Sequence, residues 1–202
     1  MPVPHPHRTQ PRGNPVDMAG GFTLIELMVT LAVLAVIIAI TTPLFAGVIN
    51  SNRLTSNANE LVAALQIART ESIRNNARAV LCESDNGSSC TGNAAWRGWI
   101  VSVDSNRNGI VESSEILKVG RVEAPTQMLP SSNITNSRVV FRADGMAYDG
   151  NNNLLQAVIR VCLPVTNPPI NVRDLNIAAG SRVAIKRATA GTGGACPAPG
   201  NT

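Results

Sequence analysis

From Phe22 to Ile40 every residue is apolar or small except Thr23, Glu26 and Thr30. About 20 such residues, coiled as a helix, cross the hydrocarbon core of a bilayer. A carboxylate inside such a span costs roughly 2.5 kcal/mol or more on insertion scales, so Glu26 calls for a partner or a function. A cut between Gly21 and Phe22 would create that partner, because the new α-amine of Phe22 would sit at the membrane edge beside Glu26 of a neighbouring copy. The competing reading is a signal anchor or a secretory signal peptide, with Leu44-Phe45-Ala46 as its cleavage site. A signal peptide's apolar region usually runs about 7 to 15 residues, and this run is longer.

The segment Gly21-Phe22-Thr23-Leu24-Ile25-Glu26-Leu27 resembles the processing site of type IV pilins and type II secretion pseudopilins. The resemblance implies that a prepilin peptidase cuts after Gly21 and methylates the amine of Phe22. It also implies that Glu26 is the assembly acid and Pro43 a helix-bending proline. The partners it implies are that peptidase, other major and minor pilins, an inner-membrane assembly platform and the membrane lipid itself. The leader departs from the family pattern, because Val16-Asp17-Met18-Ala19-Gly20-Gly21 carries an acid and no base next to the cut. Arg8 and Arg12 still place positive charge on the N-terminal side, which keeps the leader cytoplasmic and sends the rest of the chain across. Met18 offers an initiator alternative to Met1.

These readings divide the 202 residues into a leader, 1–21, a transmembrane and assembly helix, 22–50, and one periplasmic globular domain, 51–202. The last is long enough to enclose a modest core. The formal charge is +4, and loss of Arg8, Arg12 and Asp17 with the leader would leave +3. That balance permits a polyanionic partner without requiring one. Aromatic residues make up 3% of the chain, too few for base-stacking platforms.

Cys82, Cys90, Cys162 and Cys196 all follow the anchor, where an oxidising compartment favours disulfides. Three connectivities are open. Pairing Cys82 with Cys90 and Cys162 with Cys196 is preferred, because the first two flank the short polar loop Ser84–Ser89 and the second two would tie down the tail. A four-thiolate zinc site fails on spacing, since no Cys-x-x-Cys pair exists.

Leu54, Ala58, Leu61, Leu65, Ala68 and Ile73 recur at three to five residues with polar positions between them, which predicts a second, amphipathic helical half. The stretch 61–72 resembles the GspH/FimT family of minor pilins and pseudopilins, as do Trp96–Val101 and Val140–Gly145. From residue 79 the texture changes to short β-branched runs between turns. Strands are predicted at 79–82, 98–103, 116–122, 138–142, 156–163, 172–177 and 182–187. The expected fold is α+β and pilin-like: a long N-terminal helix packed on an antiparallel β-sheet and stapled by two disulfides.

Residues 104–115 match the calcium-loop pattern D-x-[DN]-x-[DN]-G-x5-E through its final glutamate. Asp104, Asn106, Asn108, the Ile110 carbonyl, Glu112 and Glu115 would offer the hard oxygen ligands calcium prefers, as a structural ion pinning a loop. Arg107 within the loop and the lack of flanking helices speak for the alternative, a hairpin connection in which Asp, Asn and Gly supply turn conformations.

Toward the C-terminus Val183 and Ile185 alternate with Arg182 and Lys186, so the basic pair projects from the face opposite the core. With Arg187 and Arg173 these make a candidate basic ridge for salt-sensitive contacts to double-stranded DNA, followed by a flexible stretch from Ala188 to Gly194. Some minor pilins of this family bind DNA through a C-terminal Gly-Arg-x-Arg motif during natural transformation. Here Ser181 separates Gly180 from Arg182 and the next basic residue comes late, so the resemblance is imperfect. The alternative is an ordinary solvated edge strand.

Both histidines, His5 and His7, lie in the leader, so the processed chain has no imidazole base. With its thiols paired and no recognisable carboxylate pair, it is not expected to be an enzyme or to require a cofactor. The expected function is that of a minor pilin of the type IV pilus, incorporated into or priming the filament. A minor pseudopilin of a type II secretion system is the alternative.

Overall fold

A computed structural model describes residues 21–178 and 180–201. The predicted leader, apart from Gly21, lies outside the described residues. Among the described residues one α-helix, α1 (Leu24–Arg74), precedes nine strands. These are β1 (Arg78–Glu83), β2 (Gly98–Asp104), β3 (Ile116–Arg121), β4 (Gln127–Pro130), β5 (Arg138–Phe141), β6 (Ala147–Tyr148), β7 (Ala157–Cys162), β8 (Val172–Ala178) and β9 (Arg182–Ala188). By its internal contacts the chain divides into two units between Thr42 and Pro43.

In the first unit α1 is exposed from Leu24 to Ile40. It contains an 18-residue window apolar enough to cross a membrane, and none of that window is buried.

In the second unit the rest of α1 lays a stripe of Leu54, Ala58, Leu61, Leu65, Ala68 and Ser72 into the core, each 0% or 1% exposed. The spacing alternates four and three residues, which keeps one face of a 3.6-residue helix turned inward. Ile73, expected on this stripe, is 52% exposed. It lies five residues after Ala68, which carries it about 140° around the helix. Ser72 takes its place, and its hydroxyl donates to the Arg69 and Arg142 carbonyls.

The single predicted sheet is two antiparallel sheets, one ordered β3-β2-β1-β5-β6 and the other β4-β7-β8-β9. Both feed one core with the helix stripe, including Leu81, Trp99, Val101, Phe141, Ile159, Val161 and Leu175. The outer face of the first sheet carries a smaller cluster, Val80, Cys82, Ile100 and Val140, packed with Cys90 and Tyr148. Gly120 pairs opposite Trp99, whose indole passes so close that a Cβ at residue 120 would overlap it.

The seven predicted strands are present with ends shifted by a residue or so. β4 and β6 were not predicted. β4 ends in Pro130, which an edge strand tolerates, and β6 spans two residues, too few to show a period.

Candidate functional site: helix tip, β2–β3 loop and basic edge

Phe22 precedes α1 and is 83% exposed. Thr23 caps the helix: its hydroxyl accepts the Glu26 amide at 3.2 Å, and its carbonyl accepts the Leu27 amide. Thr23 and Glu26 thus stand in the Ser/Thr-x-x-Glu spacing of a capping box. The capping role of Thr23 is carried by that spacing, which the sequence itself contains. Glu26 falls in the first turn, where the helix dipole favours an acid. Its side chain is exposed, and among the described residues no salt bridge engages it. Pro43 falls within the helix.

Cys82 is bonded to Cys90 and Cys162 to Cys196, with Cα separations of 5.6 and 5.8 Å. Beside the first bridge the buried Glu83 carboxylate, which drew no attention in the sequence, accepts the Thr91 hydroxyl at 2.6 Å and the Asn93 amide at 2.8 Å. Burial alone would raise its pKa. The hydrogen bonds from Thr91 and Asn93 outweigh burial and hold it below the usual carboxylate value.

The β2–β3 loop joins neighbouring antiparallel strands and is therefore a hairpin connection. Gly109 donates its amide to Asp104 Oδ2 at 3.0 Å. Glu115 Oε1 accepts from the Ser105 amide at 2.8 Å and hydroxyl at 2.9 Å. Burial pushes the Glu115 carboxyl up, but these bonds win and keep its pKa below the ordinary value. Glu112 accepts both the Asn106 and Asn108 side-chain amides. The Arg107 guanidinium donates to the Asn76 carbonyl instead of entering the loop. Among the described residues no three His, Cys, Asp or Glu side chains converge as a metal cluster.

The expected basic ridge is divided by the sheet. β9 is an edge strand paired only with β8, and Arg173 stands opposite Arg187 while Asp174 stands opposite Lys186. Side chains alternate along a strand, so Arg182 and Lys186 share one face and Arg187 and Arg173 the other. Arg173 is not a surface residue: it is 3% exposed and donates to the Ile170 and Val172 carbonyls and to Ser51 Oγ. Burial, then the nearby Arg187 charge, lower its pKa. Arg182, Lys186 and Arg187 are exposed. Asp174, across from Lys186, is already held by Arg160 in a two-point pair at 2.7 and 2.8 Å.

The segment beyond β9, expected to be flexible, is tied down. The buried Asn171 side chain donates to the Leu163, Val165 and Gly194 carbonyls and accepts the Ala190 amide. The Cys162–Cys196 bond closes the same region.

A long N-terminal helix that buries only its second half, joined to disulfide-stapled antiparallel sheets, defines a pilin-fold assembly subunit. The family described as Type II transport protein GspH matches residues 57–188, most of the chain, and the prokaryotic N-terminal methylation motif matches residues 18–42. The chain belongs to the GspH family of minor pilins and pseudopilins. Two crystal forms of the type IV minor pilin FimU of Pseudomonas aeruginosa (strain PAO1) are similar to it. In the first, identity is 19% and the TM-score 0.46 over 66% of this chain and 92% of that one. In the second, identity is 20% and the TM-score 0.48 over 67% and 90%. No curated protein matches the chain.

Proposed function

We propose that this chain is a minor pilin of the type IV pilus, cut after Gly21 by a prepilin peptidase and methylated on Phe22. The observation that carries this reading is the exposed first part of α1, apolar from Leu24 to Ile40 except at Glu26 and Thr30. Such a surface needs an apolar surrounding: lipid while the subunit waits in the inner membrane, and neighbouring helices once an assembly platform delivers it to the filament. Residues 51–202 face the periplasm in this arrangement. Glu26 then meets the Phe22 amine of an adjacent subunit, and its cost inside the apolar layer becomes a constraint on register. The test compares sheared filaments from cells carrying the natural chain and Glu26→Ala. The variant should be made, processed and anchored, yet be depleted severalfold from filaments. Equal incorporation would defeat this mechanism.

In the same reading the edge strand β9 presents Arg182 and Lys186, with Arg187 on the other face, to double-stranded DNA. Their exposure and the prior commitment of Asp174 to Arg160 support phosphate contacts. Labelled duplex is titrated with the processed chain in detergent micelles at several salt concentrations. Binding should weaken with salt and be lost on replacing Arg182, Lys186 and Arg187 together by alanine. Absence of binding by the natural chain removes the DNA role.

A second reading, a minor pseudopilin of a type II secretion system, is favoured by the description of the matching family itself. There the globular part would meet tip partners or secreted cargo instead of DNA.

A further inference from the structure

We infer that the β2–β3 loop, from Asp104 to Glu115, is a calcium site of modest affinity that braces the hairpin against the end of α1. The observation behind it is a pair of orphaned oxygens. Among the described residues Asp104 Oδ1 and Glu115 Oε2 are buried without a hydrogen-bond partner, in side chains whose residues are each 7% exposed. A buried carboxylate oxygen left without a partner is costly even when its twin is bonded, and folded proteins seldom leave one without an ion, a water or a role.

The second oxygen of each carboxylate aims the group into the loop. Asp104 Oδ2 is held by the Gly109 amide, and Glu115 Oε1 by Ser105 and, at 3.4 Å, by the Asn106 amide. The loop therefore begins and ends on carboxylates that each keep one oxygen uncommitted. These are the first and twelfth positions of the calcium-loop pattern. The sixth position is Gly109, at φ +78°, the conformation that the sharp turn of such a loop requires.

The remaining donors are hard oxygens. Glu112 takes the NH2 groups of Asn106 and Asn108, so the amide oxygens turn the other way, toward the Asn108 and Ile110 backbone amides. Each amide oxygen keeps a second lone pair for a cation. The Ile110 carbonyl supplies the seventh position, and Glu112 the ninth, commonly filled through water. Neither thiolate nor imidazole is present, which favours calcium over zinc or copper.

Two features set the affinity. Only two carboxylates would ligate directly, and Arg78 lies 3.5 Å from Asp104 Oδ2. Both place the dissociation constant in the range of about 10⁻⁴–10⁻³ M seen for extracellular modules. Arg107, the residue that argued against an ion, reaches out to the Asn76 carbonyl just past α1. A bound ion would therefore stiffen the connection between loop and helix end.

The test uses the processed chain in detergent micelles, with calcium chloride alone as the probe and calorimetric titration and thermal unfolding as readouts. One ion should bind per chain and raise the melting temperature by about 3–6 °C at roughly ten times the dissociation constant. Chelator should reverse the shift. Glu115→Gln should abolish binding. Asn108→Ala, at an exposed position that leaves the core untouched, should weaken binding at least tenfold while keeping the calcium-free melting temperature within about 1 °C of the natural chain. No saturable binding up to about 10 mM calcium by the folded natural chain would overturn the inference. So would an equal shift with magnesium, or an undiminished shift in Asn108→Ala.

Discussion

Between Leu24 and Ile40 α1 is apolar on nearly every face and exposed throughout, whereas between Leu54 and Ser72 it is apolar along one stripe and buried there. The same backbone carries two kinds of surface. A stripe of Leu54, Leu61 and Leu65 needs only the two sheets of its own domain. Among the described residues nothing covers the first part of the helix, which is apolar on nearly every face, and such a surface is matched by lipid or by other helices rather than by water. The acids follow the same division. Glu83 lies inside the domain with its oxygens satisfied by Thr91 and Asn93, while Glu26 is exposed in the first turn with no ion-pair partner among the described residues.

The contrast is sharpened most by truncating the buried stripe. Leu61→Ala should destabilise the globular unit by about 2–5 kcal/mol, because the lost side chain leaves a cavity that core and sheets fill only in part. Thermal unfolding in micelles measures it, and a loss under about 1 kcal/mol would mean that the stripe does not hold the helix to the sheets.

A smaller effect comes from acid. Glu83, Glu115 and Asp149 all have folded pKa values below their ordinary ones, in each case because hydrogen bonds outweigh burial. Depressed carboxyl pKa values mean that the unfolded chain binds protons first. Their stabilisation is therefore fully present above about pH 4.3 and is lost as the pH falls through the folded values. The melting temperature should hold between about pH 7 and 5 and then drop. Glu83→Gln should lower the plateau and flatten the drop, and an unchanged profile would remove Glu83 from the balance.

The smallest expected effect is the most telling one for the comparison. Leu31→Ala and Glu26→Ala should leave the melting of the globular unit within about 0.5 kcal/mol of the natural chain, since neither side chain is buried there. A marked loss of stability in either would show that the exposed part of α1 supports the fold directly.

Much of this was legible along the chain, for reasons that differ by residue. The apolar run and the Gly21–Leu27 motif could be read because membrane length and processing chemistry act on contiguous residues. The stripe from Leu54 to Ala68 was legible because a helix repeats its face every three to four positions. Ile73 was misplaced because an apolar residue five positions on resembles a continuation until the angle is counted. Arg173 was misread as a surface base because alternation tells which residues share a face, not which face the helix will cover. β4 escaped because Pro130 and a four-residue length suppress the strand signature.

By itself the sequence determined the apolar run long enough to cross a membrane, the N-terminal methylation motif, the helix-then-strands order and a cysteine spacing compatible with two bridges. Each depends on neighbours within one helix, one strand or one loop. Only the tertiary structure decided that nine strands form two sheets, that Arg182 and Lys186 part company with Arg187, and that Asn171 ties down the tail. It also decided that Asp104 and Glu115, at the two ends of one loop, are each buried with one oxygen unpartnered among the described residues. Those outcomes depend on burial and on contacts between residues far apart in the chain, which propensity and period do not encode.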